Sequence, residues 1–394
     1  MKSEIGCVIC ATAINAENDS AEHIIPHAIG GRRKVKGFIC RSCNSRSGDR
    51  WDAVLAKQLE WLSSVIGVKR ERHPAPDIPV STINGDSFFL RADGVYIPRK
   101  PEAVKTTNGD KFNIAITARS MDEVKRHLRR IQRKHPDANV DEALAGAKMT
   151  RRYVDSAFTT KLEFGGPEAN ASLIKTALAA AFDFGIRIDA CELGLRYLRT
   201  LAGEPPVNFF LARDLVVERP TNRFFHCVSL HADPANGTAL AYIEYFGLWR
   251  SIVVLSRAYA GPSVNRTYAL DVVEGSAFDL EVDVTISEDE TVSILEGANY
   301  PLEEWKALYN TIMPAVLARA EGRHRDRLIE EAFREAAATL GLGLGDDIPE
   351  EQRASFIRLS SRLVAEKMVE MALAKQHQGG TIREWHNSPG DAAG

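Results

Sequence analysis

Two Cys-x-x-Cys pairs, Cys7/Cys10 and Cys40/Cys43, bracket a short, turn-rich stretch near the start of a chain of 394 residues. Thiolates three positions apart can grip one edge of a tetrahedral ion, and a second such pair completes the tetrahedron. The spacing therefore predicts a structural four-cysteine zinc site that staples a segment too small to bury a core of its own. With all four positions filled by protein, such an ion holds the fold and leaves no place for a reacting water. The other two of the six cysteines, Cys191 and Cys227, read as buried thiols, and so few cysteines exclude a disulfide scaffold.

Between the knuckles lies Glu22-His23-Ile24-Ile25-Pro26, then Gly30-Gly31, and Asn44 follows the second knuckle directly. A carboxylate, an imidazole and an amide thus enter one small module. The same segment is basic. Arg32, Arg33, Lys34, Lys36, Arg41, Arg46 and Arg50 face only Asp49 between positions 32 and 50. Residues 1–72 carry a charge of +4, which leaves −7 for the remainder, so a surface for a polyanion belongs at the front. Phosphate contacts from Arg32, Arg33, Lys34, Lys36, Arg41 and Arg46 would supply affinity and salt dependence with little choice of sequence.

Glu-His-Ile-Ile-Pro, the following Gly-Gly and Cys40-Arg-Ser-Cys43-Asn44 together resemble the HNH endonuclease family, in its branch with a cysteine zinc staple. The resemblance covers roughly residues 7–55. It implies a ββα-metal fold, with His23 ending the first strand, the basic loop joining the strands and Asn44 opening the helix. It also implies chemistry. His23 would be the general base that activates a water against a phosphodiester. Glu22 and Asn44, both hard oxygen donors, would hold a catalytic Mg²⁺ or Mn²⁺. Where the family commonly has an Asn at the start of the second strand, this chain reads Lys34-Val35-Lys36-Gly37. Where it often has a further ligand one helical turn beyond Asn44, the chain has Gly48, and Asp49 or Asp52 are the substitutes on offer. His27 stays outside the catalytic set.

Trp51, Leu55, Leu59, Leu62 and Ile66 form an amphipathic stripe that predicts one helix of about four turns. Arg72–Asp77, with Pro74 and Pro76, reads as a linker. Beyond it, 87–97 and 111–118 read as strands, with turns at Asp93-Gly94 and Asn108-Gly109. Ser120 caps a basic amphipathic helix through Met121, Val124, Leu128 and Ile131. Leu173–Phe184 reads as a buried Ala-rich helix. Residues 224–230, 239–246 and 251–259 are β-branched and aromatic strands with a hairpin at Asn236-Gly237. His226 and His231 lack the companions of a metal site and read as packing residues. The chain from 301 to about 374 is helical with a break at 341–349, and the tail lacks periodicity.

The expected architecture is thus α+β: a zinc-stapled ββα module at 1–72, a larger α+β domain at 78–300 for specificity, sensing or dimerisation, a helical region at 301–375 and a disordered tail at 376–394. No apolar stretch suits a signal peptide or a membrane span, which predicts a soluble, cytoplasmic protein. The expected activity is hydrolysis of DNA phosphodiesters, with RNA as an alternative substrate. A homodimer and partner proteins are open, and the resemblance implies a setting in restriction or anti-phage defence. A rival reading is a non-catalytic zinc module that binds nucleic acid or protein, with the large domain as sensor or interaction domain.

Overall fold

A computed structural model describes residues 6–108, 111–134, 136, 139–145, 153–154, 156–159, 163–296, 302–343 and 345–377. It is a mixture of helix and sheet, with the ββα module at the N-terminus and a helical C-terminal region. The chain divides into two compact units that do not follow it in simple order. The first comprises Met1–Ile78, Arg91–Gly94 and Lys161–Ala320, and the second Pro79–Leu90, Val95–Thr160 and Glu321–Gly394. The N-terminal module therefore falls in one compact unit with residues 161–320.

In the first unit, β1 (Asp19–His23) and β2 (Lys34–Cys40) pair antiparallel, and β2 runs into α1 (Arg41–Ser47). The register shifts between Ser20 and Glu22, so β2 carries extra residues there. Gly37 absorbs the bulge at φ +77°, a conformation costly for any residue with a Cβ, and its N–H donates to Asp19 Oδ1 at 2.8 Å. A turn of 3₁₀ helix, His27–Ile29, follows Pro26 in the loop between the strands. Gly31 is packed so closely there that a Cβ would lie 1.7 Å from the carbonyl oxygen of Ile25.

The predicted four-turn helix is interrupted. A π turn at Gly48–Asp52 precedes α2 (Ala53–Gln58), and Leu59 breaks the run before α3 (Glu60–Ile66). Its apolar stripe is nevertheless buried at every position from Trp51 to Ile66. Gly67, left-handed at φ +81°, ends it.

The body of the first unit is a six-stranded antiparallel sheet in the order Ser276–Phe278, Val264–Asp271, Phe225–Asp233, Thr238–Tyr245, Trp249–Ser256 and Val207–Phe209. Thr238–Tyr245 is central and almost wholly buried, because both faces are covered. Leu240 and Tyr242 pack on one side with Cys227, Ile252, Val254 and Ile294. The opposite side meets the central helix, Pro167–Asp183, where Thr176 Oγ1 lies 3.4 Å from Tyr245 OH. Cys191 and Cys227 are buried thiols, and His226 is fully buried between Ile29 O (3.0 Å) and the Phe246 N–H (3.3 Å).

Several ties bind the module to this body. Phe38 packs on Phe182 with ring centres 5.7 Å apart, Arg33 pairs with Asp183 at 2.7 Å, and Lys69 N donates to Val272 O at 2.9 Å. Ile24, Ile25, Ile29 and Leu55 are completely buried. A short segment with one zinc staple could not bury so many large side chains by itself, and the sheet-and-helix body supplies the missing cover.

The second unit holds Ser87–Leu90 paired with Tyr96–Pro98, a two-stranded ribbon of Glu102–Asn108 with Lys111–Thr117, and the helix Met121–Lys134. The turn expected at Gly109 lies outside the described residues. Ser120 Oγ accepts the Glu123 N–H at 3.3 Å, as expected of its cap. Leu302–Thr339 and Glu350–His377 are the C-terminal helices, and Ala332, Ala336 and Leu363 form a small core where they meet. The expected disordered tail also lies outside the described residues. No described helix is long and apolar enough to cross a membrane.

Candidate active site and metal centres

Local chain geometry delivers the four cysteines to one point. Cys7 and Cys10 sit in the turn closed by the Cys7 N–H to Thr12 O hydrogen bond of 2.7 Å, while Cys40 ends β2 and Cys43 lies in the first turn of α1. All four Sγ atoms lie within 4.8 Å of one another, and Cys10 and Cys40 are 3.8 Å apart. A tetrahedron with zinc–sulfur arms of about 2.3 Å has edges of about 3.8 Å, so the sulfurs fit zinc. The Thr12 hydroxyl, 3.3 Å away, holds the Cys10 thiol down to about 6, whereas burial pushes Cys7 and Cys43 up. Buried thiols of that kind yield their protons to a metal. Three of the four are buried and only Cys10 is exposed, which suits a staple.

A second cluster lies where β1 meets the central helix. Glu22, 4% exposed, accepts a hydrogen bond of 2.5 Å from Lys175 Nζ, and the same ammonium reaches Asp52 Oδ2 at 2.6 Å. Ser172, one turn earlier on the helix, donates to Asp52 Oδ1 at 2.6 Å. Asn44 Nδ2 donates to Ser20 Oγ at 2.7 Å, and its amide also reaches the Glu22 carboxylate. Burial raises the Glu22 carboxyl despite the opposing pull of Lys175. Burial also works against the charge on Lys175, but Asp52 and Glu22 outweigh it and hold the ammonium protonated. Glu22 and Asn44 are therefore neighbours, as their expected shared role requires. Their oxygens and the Asp52 carboxylate are hard donors that suit Mg²⁺ or Mn²⁺. In this conformation, however, the cation between the carboxylates is a lysine from outside the module.

His23 belongs to a different group. Successive side chains of a strand point to opposite faces, and here Glu22 faces the central helix while His23 faces the loop. Its Nε2 lies 3.5 Å from Glu71 Oε2, too far for a strong hydrogen bond, and its ring centre is 5.2 Å from that of His27. Burial and then the Lys34 charge depress His23 to about 4, so the imidazole is neutral at pH 7. Glu71 is drawn down to about 2 by Lys34, whose Nζ it holds at 2.8 Å. Among the described residues, no hydrogen bond or ion pair joins the His23 group to Glu22 and Asn44.

The basic set also divides. Arg32 donates to Lys69 O at 2.7 Å, Arg33 pairs with Asp183 and Lys34 with Glu71, so these three brace the module. Lys36, Arg41 and Arg46 are exposed. Lys175 and Glu71 are the residues that the sequence reading missed. A lone lysine in the Ala-rich run of the central helix was the available signal, because a buried ammonium demands carboxylates.

The zinc geometry and the β1–β2–α1 path coincide with a family match. Residues 7–60 match the family model of the HNH endonucleases. This segment is an HNH module. No curated protein and no solved structure matches the chain. The HNH assignment rests on the module alone, and its zinc cysteines, β1, β2, α1 and α2 all fall within the matched span.

Proposed function

We propose that the protein is an endonuclease that hydrolyses DNA phosphodiesters with the HNH module. The observation that carries this reading is the β1–β2–α1 arrangement, which ends β1 on a neutral, half-buried His23 and leads through two zinc cysteines to Asn44. A neutral imidazole can take the proton of an attacking water. The Glu71 carboxylate beside it then stabilises the imidazolium as it forms. Glu22 and Asn44, with Asp52 beside them, are the residues that would hold a hard divalent cation, Mg²⁺ or Mn²⁺. Bound, that cation supplies charge stabilisation to the phosphate and the departing 3′-oxygen. Exposed Lys36, Arg41 and Arg46 contact the phosphate backbone in this reading, without base selection. One such site attacks one strand, so a double-strand break requires two copies of the chain or two encounters.

The ammonium between Glu22 and Asp52 favours a second reading, a zinc module that binds nucleic acid without cutting it. Supercoiled plasmid incubated with the zinc-loaded protein and Mg²⁺ or Mn²⁺ separates the two. The expected result is nicked or linear DNA with wild type and intact plasmid with His23→Ala, both retaining zinc by metal analysis. Binding with no cleavage of DNA or RNA, or equal cleavage by His23→Ala, overturns the nuclease reading.

A further inference from the structure

We propose that Lys175 is the built-in counter-ion of the Glu22–Asp52 pair and that a divalent cation enters this pair only by displacing the lysine ammonium. The inference rests on the reading of Glu22 as a metal ligand and deepens it, because it makes a helix outside the HNH match the gate of the HNH site.

The geometry leaves room for one cation. Lys175 Nζ stands 2.5 Å from Glu22 Oε1 and 2.6 Å from Asp52 Oδ2. A Mg²⁺ ion demands oxygens at about 2.1 Å in near-octahedral array. An ammonium and such an ion cannot share the same two oxygens, and two cations at van der Waals distance in a poorly solvated site repel strongly. The remaining charge invites the exchange. Two carboxylates with one ammonium leave a formal net negative charge, softened by the Ser172 hydroxyl on Asp52 and the Asn44 amide at Glu22. A divalent ion in place of the ammonium neutralises both carboxylates.

The surroundings show which side yields. Lys175 is 1% exposed and the Glu22 side chain 5%, whereas that of Asp52 is 17% exposed, so the solvent side of the cluster is at Asp52. Asp52 sits in the π turn, a wound-out segment of the kind often found at functional sites. The lysine also offsets the charge of two carboxylates set in a largely buried position. An uncompensated carboxylate pair in such a place would be expelled or protonated.

The test compares full-length, zinc-loaded wild type with Lys175→Met in a Mn²⁺ titration followed by the electron paramagnetic resonance of free Mn²⁺. Lys175→Met should bind Mn²⁺ at least about tenfold more tightly than wild type. It should also gain the larger rise in melting temperature from Mn²⁺. Equal affinities, or a folded Lys175→Met that binds no Mn²⁺, overturn the proposal. Should Lys175→Met not fold, wild type is treated with an amine-acylating ester and Lys175 modification is read by peptide mass spectrometry. Millimolar Mn²⁺ should raise that modification, and unchanged labelling overturns the proposal. The two readings fail differently. Equal Mn²⁺ affinity in two proteins that both cut plasmid removes the gate and leaves the nuclease. Tighter Mn²⁺ binding by Lys175→Met, with no cleavage by either protein, leaves the gate and removes the nuclease.

Discussion

The zinc knuckles and the Lys175 cluster both gather negative groups around one cation, yet they are built in opposite ways. The four thiols come from one turn and from the junction of β2 with α1, all within residues 7–43. The carboxylate cluster draws Glu22 from a strand, Asp52 from a π turn and Lys175 from a helix more than a hundred positions along the chain. The first is a local device that stands on chain geometry. The second exists only when the module is seated on the body of its unit. One centre therefore holds the module together, and the other ties it to its surroundings.

Removing zinc should have the largest effect. Structural zinc sites contribute on the order of 10 kcal/mol to small domains at neutral pH. Cys40→Ser, or a strong chelator, should therefore unfold the HNH module, with loss of hydrogen-exchange protection in β1, β2 and α1. Protection in the six-stranded sheet should outlast it. Simultaneous loss in both regions would break the distinction between a local and a seated centre.

The Glu22–Lys175 pair should rank second. Removing one partner of a buried pair costs about 3–5 kcal/mol, because a charge is left uncompensated. Lys175→Met alone should lower stability by that order in denaturant titrations, whereas Glu22→Gln, which leaves the ammonium paired with Asp52, should cost less. The double variant should recover much of the loss. A double variant whose losses simply add would show that Glu22 and Lys175 do not act as a pair.

Per pH unit, acid should give the smallest effect, and it should sharpen the contrast. His226 is fully buried and depressed by that burial to about 3, against an ordinary value of 6.5. Its folded value lies below its unfolded one, so its contribution is complete above pH 6.5 and is lost as pH falls toward 3. The slope is at most about 1.4 kcal/mol per pH unit for one proton. Stability measured against pH should begin to fall below 6.5 while zinc is still bound, and His226→Gln should flatten that early decline. A decline that starts only with zinc release, monitored with a coloured chelator, would assign acid sensitivity to the thiols.

What could be read from the sequence follows the same division. Cysteine spacing and the strand end at His23 are local, and each took its expected place in the backbone, whereas α1 already begins at Arg41, so Asn44 lies one turn into the helix it was expected to open. The strands 225–233, 238–245 and 249–256 and the buried helix were equally visible through composition and turn dipeptides. The short edge strands 207–209 and 276–278 were not, because three residues carry no periodicity. Nor was the direction of Glu22 and His23. Adjacent residues on a strand are forced apart, and what each meets is decided by packing against segments remote in the chain. Arg32, Arg33 and Lys34 read as phosphate contacts for the same reason, since a charge run shows nothing of the Asp183 and Glu71 that meet it.

Gly31 carries a practical consequence. With the Ile25 carbonyl oxygen 1.7 Å from where a Cβ would sit, even alanine cannot be accommodated without moving the loop behind His23. A saturation-mutagenesis screen for lost activity will therefore score this position as severely as His23, although it offers no proton, ligand or charge. Intolerance to substitution in this loop mixes crowding with chemistry, and only a measurement of zinc content and folding for each failed variant tells them apart.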